Sequence, residues 1–141
     1  MRLCIPNRLE DVFQALEHAE TVLEKANVDN PCRSDVRLVL EELLVNTVRH
    51  GYPDGRHGTI EINLDACTEV VHLELRDDAQ PFNPLKHDPP ELPGDLADRE
   101  IGGLGLHLAR SIATDFKYAR DAHGNRVVIR FDPALSDESS P

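Results

Sequence analysis

EELLVNTVRHGY, residues 41–52, is the stretch of sequence that indicates the fold most directly. Its apolar residues recur at helical spacing, and Gly51 is expected to end the helix. Glu42 and Asn46 lie four positions apart, so their side chains project side by side at the edge of the apolar face. A carboxylate and an amide there predict the rim of a pocket, with oxygen ligands for Mg²⁺ and a candidate general base. Considered alone, the pair also fits an ordinary solvated helix flank.

The segments before this stretch are predicted to form a strand and two helices. The helix that contains Glu42 is expected to begin at Asn30-Pro31, because proline is well tolerated in a first helical turn. Residues 2–5 are predicted to form a short strand, and a first helix is predicted from about Arg8 to Ala26. Asn7 is expected to cap that helix, with Glu10 at the capping-box position.

Two strands and a long loop are predicted after the second helix. Residues 59–65 and 69–76 alternate apolar and polar side chains, which predicts a hairpin with one buried face. From residue 82 to residue 100 the pattern is lost among prolines and acidic residues. A loop of ~19 residues is longer than packing normally needs, and such loops are usually functional lids or disordered.

The C-terminal part is predicted to complete one domain. A third helix is expected from Leu104 to about Thr114, followed by strands near 116–120 and 126–132. The order β-α-α-β-β-loop-α-β-β predicts an α+β fold, a two-layer sandwich in which a mixed, mostly antiparallel sheet carries about three helices on one face. We expect a single domain over residues 1–133 and a disordered tail over residues 134–141.

Composition excludes several classes of function. The formal net charge of −11 over 141 residues disfavours binding to phosphate backbones of nucleic acids. Three cysteines lie far apart without a CxxC pair, which predicts reduced thiols rather than a disulfide framework or a zinc site. The N-terminus turns charged too early for a signal peptide, and no apolar run approaches the ~20 residues of a membrane span. We therefore expect a cytoplasmic protein that binds neither nucleic acid nor membrane.

Two further motifs add to the one on the helix. In LELRDDAQPFNP, residues 73–84, Asp77 follows a strand directly, where a carboxylate can accept a hydrogen bond from an exocyclic amine such as that of adenine. A simple turn aspartate is the alternative. In REIGGLGLHLARSI, residues 99–112, glycines open a helix, so that free backbone N–H groups and the helix dipole favour phosphate. Glycine also begins helices for conformational reasons, and the spacing matches neither a P-loop nor a dinucleotide fingerprint.

The order of these motifs resembles the GHKL ATPase superfamily, whose fold is called the Bergerat fold. EELLVNTVRHGY resembles its N box, RDDAQPFNP its first glycine box and IGGLGLHLARS its second. The resemblance extends from about residue 3 to residue 131. It is closest to the anti-sigma-factor serine kinases of the RsbW and SpoIIAB type.

The resemblance implies a role for individual residues. Glu42 matches the general base, Asn46 the ligand of Mg²⁺, and Asp77 the acceptor of the adenine amine, with Asp78 as the alternative. Residues 83–101 match the mobile ATP lid, in which Lys86 or Arg99 is expected to contact a phosphate. The remaining positions that the resemblance implies around ATP are Arg49, Ala79, Pro81, Phe82, Gly102, Gly103, Leu104, Gly105 and Leu106. The threonine that the family usually has near the last hairpin is replaced by Asn125 or Arg126.

The function that the resemblance implies is an ATP- and Mg²⁺-dependent protein-serine kinase. Such a protein phosphorylates an anti-anti-sigma antagonist of the STAS type and sequesters a sigma factor, and a homodimer is also implied. Two alternatives stay open. Ala79 and Pro81 stand where most of the superfamily has glycines, which motivates a non-catalytic module in which ATP or ADP only selects the partner. The catalytic part of a sensor histidine kinase is disfavoured, because the ATP domain takes up nearly all of the chain.

Overall fold

The computed structural model describes residues 1–84 and 109–133. Two long helices and five strands occur in this part of the chain, and residues 109–112 are also helical. In chain order the elements are β1 (Arg2–Pro6), α1 (Leu9–Lys25), α2 (Asn30–His50), β2 (Thr59–Ala66), β3 (Val71–Asp77), β4 (Asp115–Asp121) and β5 (Gly124–Phe131).

The five strands form one sheet in the order β1-β2-β3-β5-β4, and each described neighbouring pair is antiparallel. Inward-facing side chains of the strands form a single core with the apolar faces of α1 and α2. Alternation in β2 and β3 explains this arrangement, because every second residue of each strand is buried. The predicted α+β sandwich with a mostly antiparallel sheet is confirmed.

The other face of the sheet is polar. Ion pairs cross it between neighbouring strands, with Arg2 Nη2 at 3.1 Å from Glu61 and Arg126 Nε at 2.6 Å from Glu74. Asn63 lies between these pairs and donates to both glutamates. A sheet with one apolar and one charged face packs its helices on one side only.

Helix α1 begins without the predicted cap. Its N-cap position is Arg8, which makes no side-chain capping bond, so the expected capping by Asn7 and Glu10 is wrong. Asn7 instead bridges to the segment before β2, where its side chain donates to Arg56 O at 3.1 Å and accepts from Gly58 N at 3.0 Å. The Asn7 amide therefore bonds to residues that are distant in sequence instead of capping the helix as the local pattern predicts.

Helix α2 has the predicted start and end. The Asp29 carboxylate accepts a hydrogen bond from Cys32 N at 2.8 Å, and Pro31 lies in the first turn. Gly51 follows the last helical residue. In the part of the chain that the structure describes, neither this helix nor any other is long and apolar enough to cross a membrane.

Several predicted features fall on residues outside the described ones. They include most of the lid expected over residues 83–101, the glycines that open the third helix, and the tail over residues 134–141. The predicted third helix, from Leu104 to about Thr114, is described only over its last residues, where 109–112 are helical and Ala109 is fully buried.

Candidate functional site

A small cavity lies where the C-terminal half of α2 meets the end of β3 and the start of β5. Its volume of about 30 Å³ is room for about two water molecules. The wall is apolar except for a few converging polar groups, which is the usual composition of a ligand pocket. Its polar lining residues are Asn46, Thr47, His50, Asp77, Gln80 and Asn125.

Asp77 is the only carboxylate among the described lining residues of this cavity. It ends β3 and is half-buried. Its Oδ1 accepts hydrogen bonds from Ala79 N at 3.0 Å and from Asn125 Nδ2 at 2.9 Å. Burial raises the pKa of this carboxyl, although both hydrogen bonds act in the opposite direction. Within the described part of the chain no donor is bonded to Oδ2, which leaves that oxygen for a ligand.

Asn125 is the most heavily bonded side chain at the cavity. It is 5% exposed and stands opposite Asp77 in the register of β3 and β5. Its Nδ2 also donates to Gln80 O at 2.9 Å. Its Oδ1 accepts from three groups, namely Tyr118 Oη at 2.6 Å, Arg120 Nη1 at 2.9 Å and Phe82 N at 3.4 Å. The amide therefore links β3, β4 and the loop after β3.

Asp78 faces away from the cavity. Its Oδ1 accepts from Tyr52 Oη at 2.8 Å and from Thr59 N at 3.0 Å, and Arg56 bonds its backbone oxygen. Burial disfavours ionisation of Asp78, but the hydrogen bonds from Thr59 N and Tyr52 outweigh it and hold the pKa below its ordinary value. Arg56 also stacks on the Tyr52 ring at 4.8 Å from its centre. Asp78 thus anchors the segment between α2 and β2.

Ala79 fits at the cavity because Gly51 has no side chain. A Cβ built on Gly51 would lie 2.7 Å from the Ala79 Cβ, so the alanine methyl occupies space that the glycine leaves open. Among the described residues, Asn27 is the only non-glycine residue with a positive φ, so neither Ala79 nor Pro81 needs a glycine's backbone freedom. Gln80 reinforces the junction, since its backbone N donates to Gly51 O at 2.9 Å.

The helix side of the cavity is formed around Asn46, which is 8% exposed. Its Nδ2 donates to Glu42 O at 2.7 Å, so the side-chain oxygen is the atom left for a cation or a water. Glu42 lies one turn earlier and is half-buried. Burial raises the pKa of Glu42, nearby Glu41 raises it further, and Arg49 opposes the shift.

Comparison with known proteins identifies the family. The model of the histidine kinase-like ATPase domain matches residues 5–131. The chain belongs to this family. In this histidine kinase-like ATPase domain, the cavity lies between the second helix and the end of the third strand.

Relatives of this ATPase domain include serine kinases and anti-sigma factors. The chain is 28% identical to the serine/threonine-protein kinase BtrW of Bordetella bronchiseptica over 97 residues, which cover 69% of this chain and 68% of the relative. It is 21% identical to the serine-protein kinase RsbW of Listeria innocua over 133 residues, 92% of this chain and 85% of the relative. It is 20% identical to the anti-sigma F factor of Clostridium novyi over 98 residues, 69% of this chain and 68% of the relative.

Solved structures share the fold of this ATPase domain. The structure of the RsbU and RsbW domains of Rv1364c from Mycobacterium tuberculosis matches 94% of this chain with a TM-score of 0.62 at 15% identity. A histidine kinase domain from Erythrobacter litoralis matches 75% with a TM-score of 0.52 at 17% identity. The chain spans 32% and 46% of those two solved chains.

The sequence-predicted site residues of this ATPase domain fall into three groups. Asn46, Asp77, Ala79 and Phe82 line the cavity. Glu42, Arg49 and Pro81 are described but do not line it, and Arg49 and Pro81 are exposed. The third group lies outside the described residues and consists of Lys86, Arg99, Gly102, Gly103, Leu104, Gly105 and Leu106.

Asn125 is the site residue that sequence reasoning left out of the binding set. The resemblance gives it only as one of two replacements for the family's threonine, and the structure shows that Asn125, not Arg126, lines the cavity. The signal was the alternation of β5, where Val127, Ile129 and Phe131 are buried. A polar residue in the same register is an unusual member of a buried face.

Proposed function

We propose that this chain is an ATP- and Mg²⁺-dependent protein-serine kinase that also acts as an anti-sigma factor. Its substrate is a serine of a STAS-domain antagonist of the anti-anti-sigma kind. Phosphorylation weakens the antagonist's hold, so that the kinase is free to capture its sigma factor. The observation that carries the proposal is one cavity lined by both the Asp77 carboxylate and the Asn46 amide, in a family with serine kinases and anti-sigma factors among its relatives.

The contacts of Asp77 support adenine as the nucleobase of the ligand. With two donors on Oδ1, the free Oδ2 suits an exocyclic amine, which donates hydrogen bonds. Asp78 is the weaker candidate, because its own partners are Tyr52 and Thr59 and it does not line the cavity. Asp77 is therefore the proposed acceptor.

The helix residues support transfer to a hydroxyl group. Mg²⁺, when bound by the Asn46 side-chain oxygen, offsets the charge of the phosphates. Glu42 accepts the proton of the substrate serine while the serine oxygen forms its bond to the γ-phosphorus and ADP leaves. A raised pKa suits this role, because a base whose pKa is nearer neutrality takes up a proton more readily.

The proposal includes the parts of the chain that the structure does not describe. Gly103 and Gly105 supply backbone N–H groups to the phosphates, and residues 83–101 form the lid. Residues 1–133 constitute the kinase domain, of which the family match covers 5–131. The protein acts in the cytoplasm, where sigma factors act. It assembles as a homodimer, and light scattering tests this assembly.

Transfer of labelled phosphate from ATP to a STAS-domain protein of the same genome tests the proposal. Replacing the base in Glu42→Gln is expected to lower transfer by at least about 100-fold, while calorimetry shows Mg-ATP binding largely retained. Glu41→Gln is the matched control, because it removes the adjacent carboxylate and leaves the base. Asp77→Ala is expected to abolish detectable nucleotide binding.

The outcomes separate the alternatives. Transfer at the parent rate by Glu42→Gln would show that the base is assigned wrongly. Binding of ATP by the parent protein without any phosphoprotein would favour the non-catalytic switch. No binding of ATP or ADP by the parent protein would refute both functions.

A further inference from the structure

Asn125 places a buried amide where the strand pattern favours an apolar side chain. It is 5% exposed and lies on the inward face of β5. Burial of an amide is unfavourable unless its donors and acceptors are bonded. Both roles are filled here: the nitrogen donates to Asp77 Oδ1 and Gln80 O, and the oxygen accepts hydrogen bonds as well. The contacts are specific enough to orient the neighbouring carboxylate.

The hydrogen bond to Asp77 has a consequence for the ligand. Because Oδ1 is held by Asn125 Nδ2 and by Ala79 N, the carboxylate plane is fixed and Oδ2 is the oxygen that remains. Loss of the Asn125 donor leaves Oδ1 with a single partner and the carboxylate free to rotate. A rotating acceptor loses the directional preference on which recognition of an exocyclic amine depends.

We propose that Asn125 is a positioning residue that sets the specificity of this site for a purine with an exocyclic amine, by holding Asp77 Oδ1 and presenting Oδ2. The inference rests on the proposed nucleotide-binding function. It adds a residue whose role is to orient the carboxylate rather than to touch the base.

The charged and titratable groups around the Asp77 carboxylate are few. Asp78 follows it on the same strand and raises its pKa, and Arg120 on β4 lowers it. Tyr118 Oη and Arg120 Nη1, both on β4, donate to the Asn125 side-chain oxygen, and His50 of α2 lines the same cavity. Asn125 itself is neutral at every pH, so it orients the carboxylate without adding a titration.

Asn125→Asp tests the inference because it replaces the neutral amide with a titratable carboxyl group. The facing Asp77 carboxylate favours a proton shared between the two carboxyl groups at low pH, whereas Arg120 Nη1, at 2.9 Å from the present amide oxygen, favours ionisation. While that proton is shared, the new carboxyl can donate to Asp77 as the amide does. When it ionises, two carboxylates face each other at the 2.9 Å of the present contact, and repulsion drives them apart. We expect Mg-ATP affinity within about threefold of the parent at pH 5, and a loss of about 10- to 100-fold at pH 8, the size of one hydrogen bond to a charged group.

Inosine triphosphate provides a readout that a general structural defect would not change. It carries a carbonyl oxygen where ATP has the exocyclic amine, so a fixed Oδ2 repels it. The parent protein is expected to prefer ATP over inosine triphosphate by at least about tenfold at both pH values. In Asn125→Asp this ratio should fall toward one at pH 8 and recover at pH 5.

Asn63→Asp is the matched control. Asn63 also donates to carboxylates, Glu61 at 3.3 Å and Glu74 at 3.2 Å, but it does so on the open face of the sheet. It therefore acquires the same kind of carboxylate repulsion away from the cavity. Its stability is expected to fall with rising pH, while its nucleotide preference stays that of the parent.

A milder variant covers the case in which Asn125→Asp unfolds at pH 8. Asn125→Ala is neutral and has no donor for Asp77 or Gln80, so we expect about a tenfold loss of ATP preference at every pH, with an unchanged circular dichroism spectrum. Parent-like affinity and preference in the folded alanine variant would overturn the inference, as would a parent-like pH profile in Asn125→Asp. Absence of ATP binding by the parent protein would instead refute the proposed function.

Discussion

Replacing Gly124 with alanine should destabilise the protein by more than backbone strain alone. Gly124 begins β5 with a φ of +135°, a conformation that residues with a side chain rarely adopt. A Cβ built there collides with the Asp77 carbonyl oxygen and lies 2.9 Å from its carbonyl carbon and 3.0 Å from Asp78 Cα. These are backbone atoms of the last residue of β3 and of the residue that follows it, so relief requires that the end of β3 and the start of β5 move apart.

The magnitude follows from three contributions. A strained backbone conformation costs about 1–3 kcal/mol. Overpacking against atoms that cannot rotate away costs about 1–3 kcal/mol more. The lower conformational entropy of the unfolded alanine chain returns about 0.4–1 kcal/mol. The expected loss in the free energy of unfolding is therefore about 3 kcal/mol, which is a large share of the stability of an ordinary domain.

Gly55→Ala is the matched control because it has the strain without the collision. Its φ is +76°, and a Cβ built there meets nothing within 4 Å. The strain of about 1–2 kcal/mol is partly cancelled by the same entropy effect, so a loss of about 1 kcal/mol or less is expected.

Urea unfolding of the parent and both variants measures the difference, which should be about 2 kcal/mol in favour of Gly55→Ala. Gly124→Ala should also weaken Mg-ATP binding, since it displaces the strand end that carries Asp77. Equal losses in the two variants would refute the close approach of β3 and β5 at this position.

Tyr52→Phe removes one of the two side-chain or backbone donors on Asp78 Oδ1, for a loss of about 1 kcal/mol at pH 7 measured by urea unfolding. Because the fold lowers the pKa of Asp78 from its ordinary value of 3.8, its ionised form stabilises the protein above that pH and this contribution is lost as the pH falls. The gap between variant and parent should therefore narrow below about pH 4, and a constant gap would argue against the Asp78 contact. Asn7→Ala removes two loop hydrogen bonds but no helix cap, so the melting temperature should fall by a few degrees, as for a loss of about 1 kcal/mol, with helix content unchanged. Asp29→Ala removes the observed cap of α2 and is expected to cost about 1 kcal/mol with fraying of its first turn, seen by hydrogen exchange at Cys32 N.

The elements of this fold could be predicted because their signals are local. The apolar alternation of β2 and β3 and the proline that opens α2 depend on neighbours in sequence alone. The start of α1 could not be predicted in the same way. Asn7 has the chemistry of a cap, but its side chain meets Arg56 and Gly58, some fifty residues away in sequence. A local sequence pattern does not reveal these partners of Asn7, because they come close to it only after the strands have paired.

In the candidate site, too, the residues placed by local pattern could be predicted, and those placed by strand pairing could not. Alternation predicts which face of a strand a residue occupies, and it extends from Val71, Leu73 and Leu75 to place Asp77, not Asp78, on the inward side. The partnership of Asp77 with Asn125 needs more, because it depends on the register of β3 and β5, two strands that lie far apart in the sequence. At that junction Gly124 permits the backbones to approach and Asn125 then reaches the carboxylate. Gly124 and Asn125 resemble an ordinary turn in the sequence. Their role in bringing β5 to the cavity beside Asp77 appears only once β3 lies next to them.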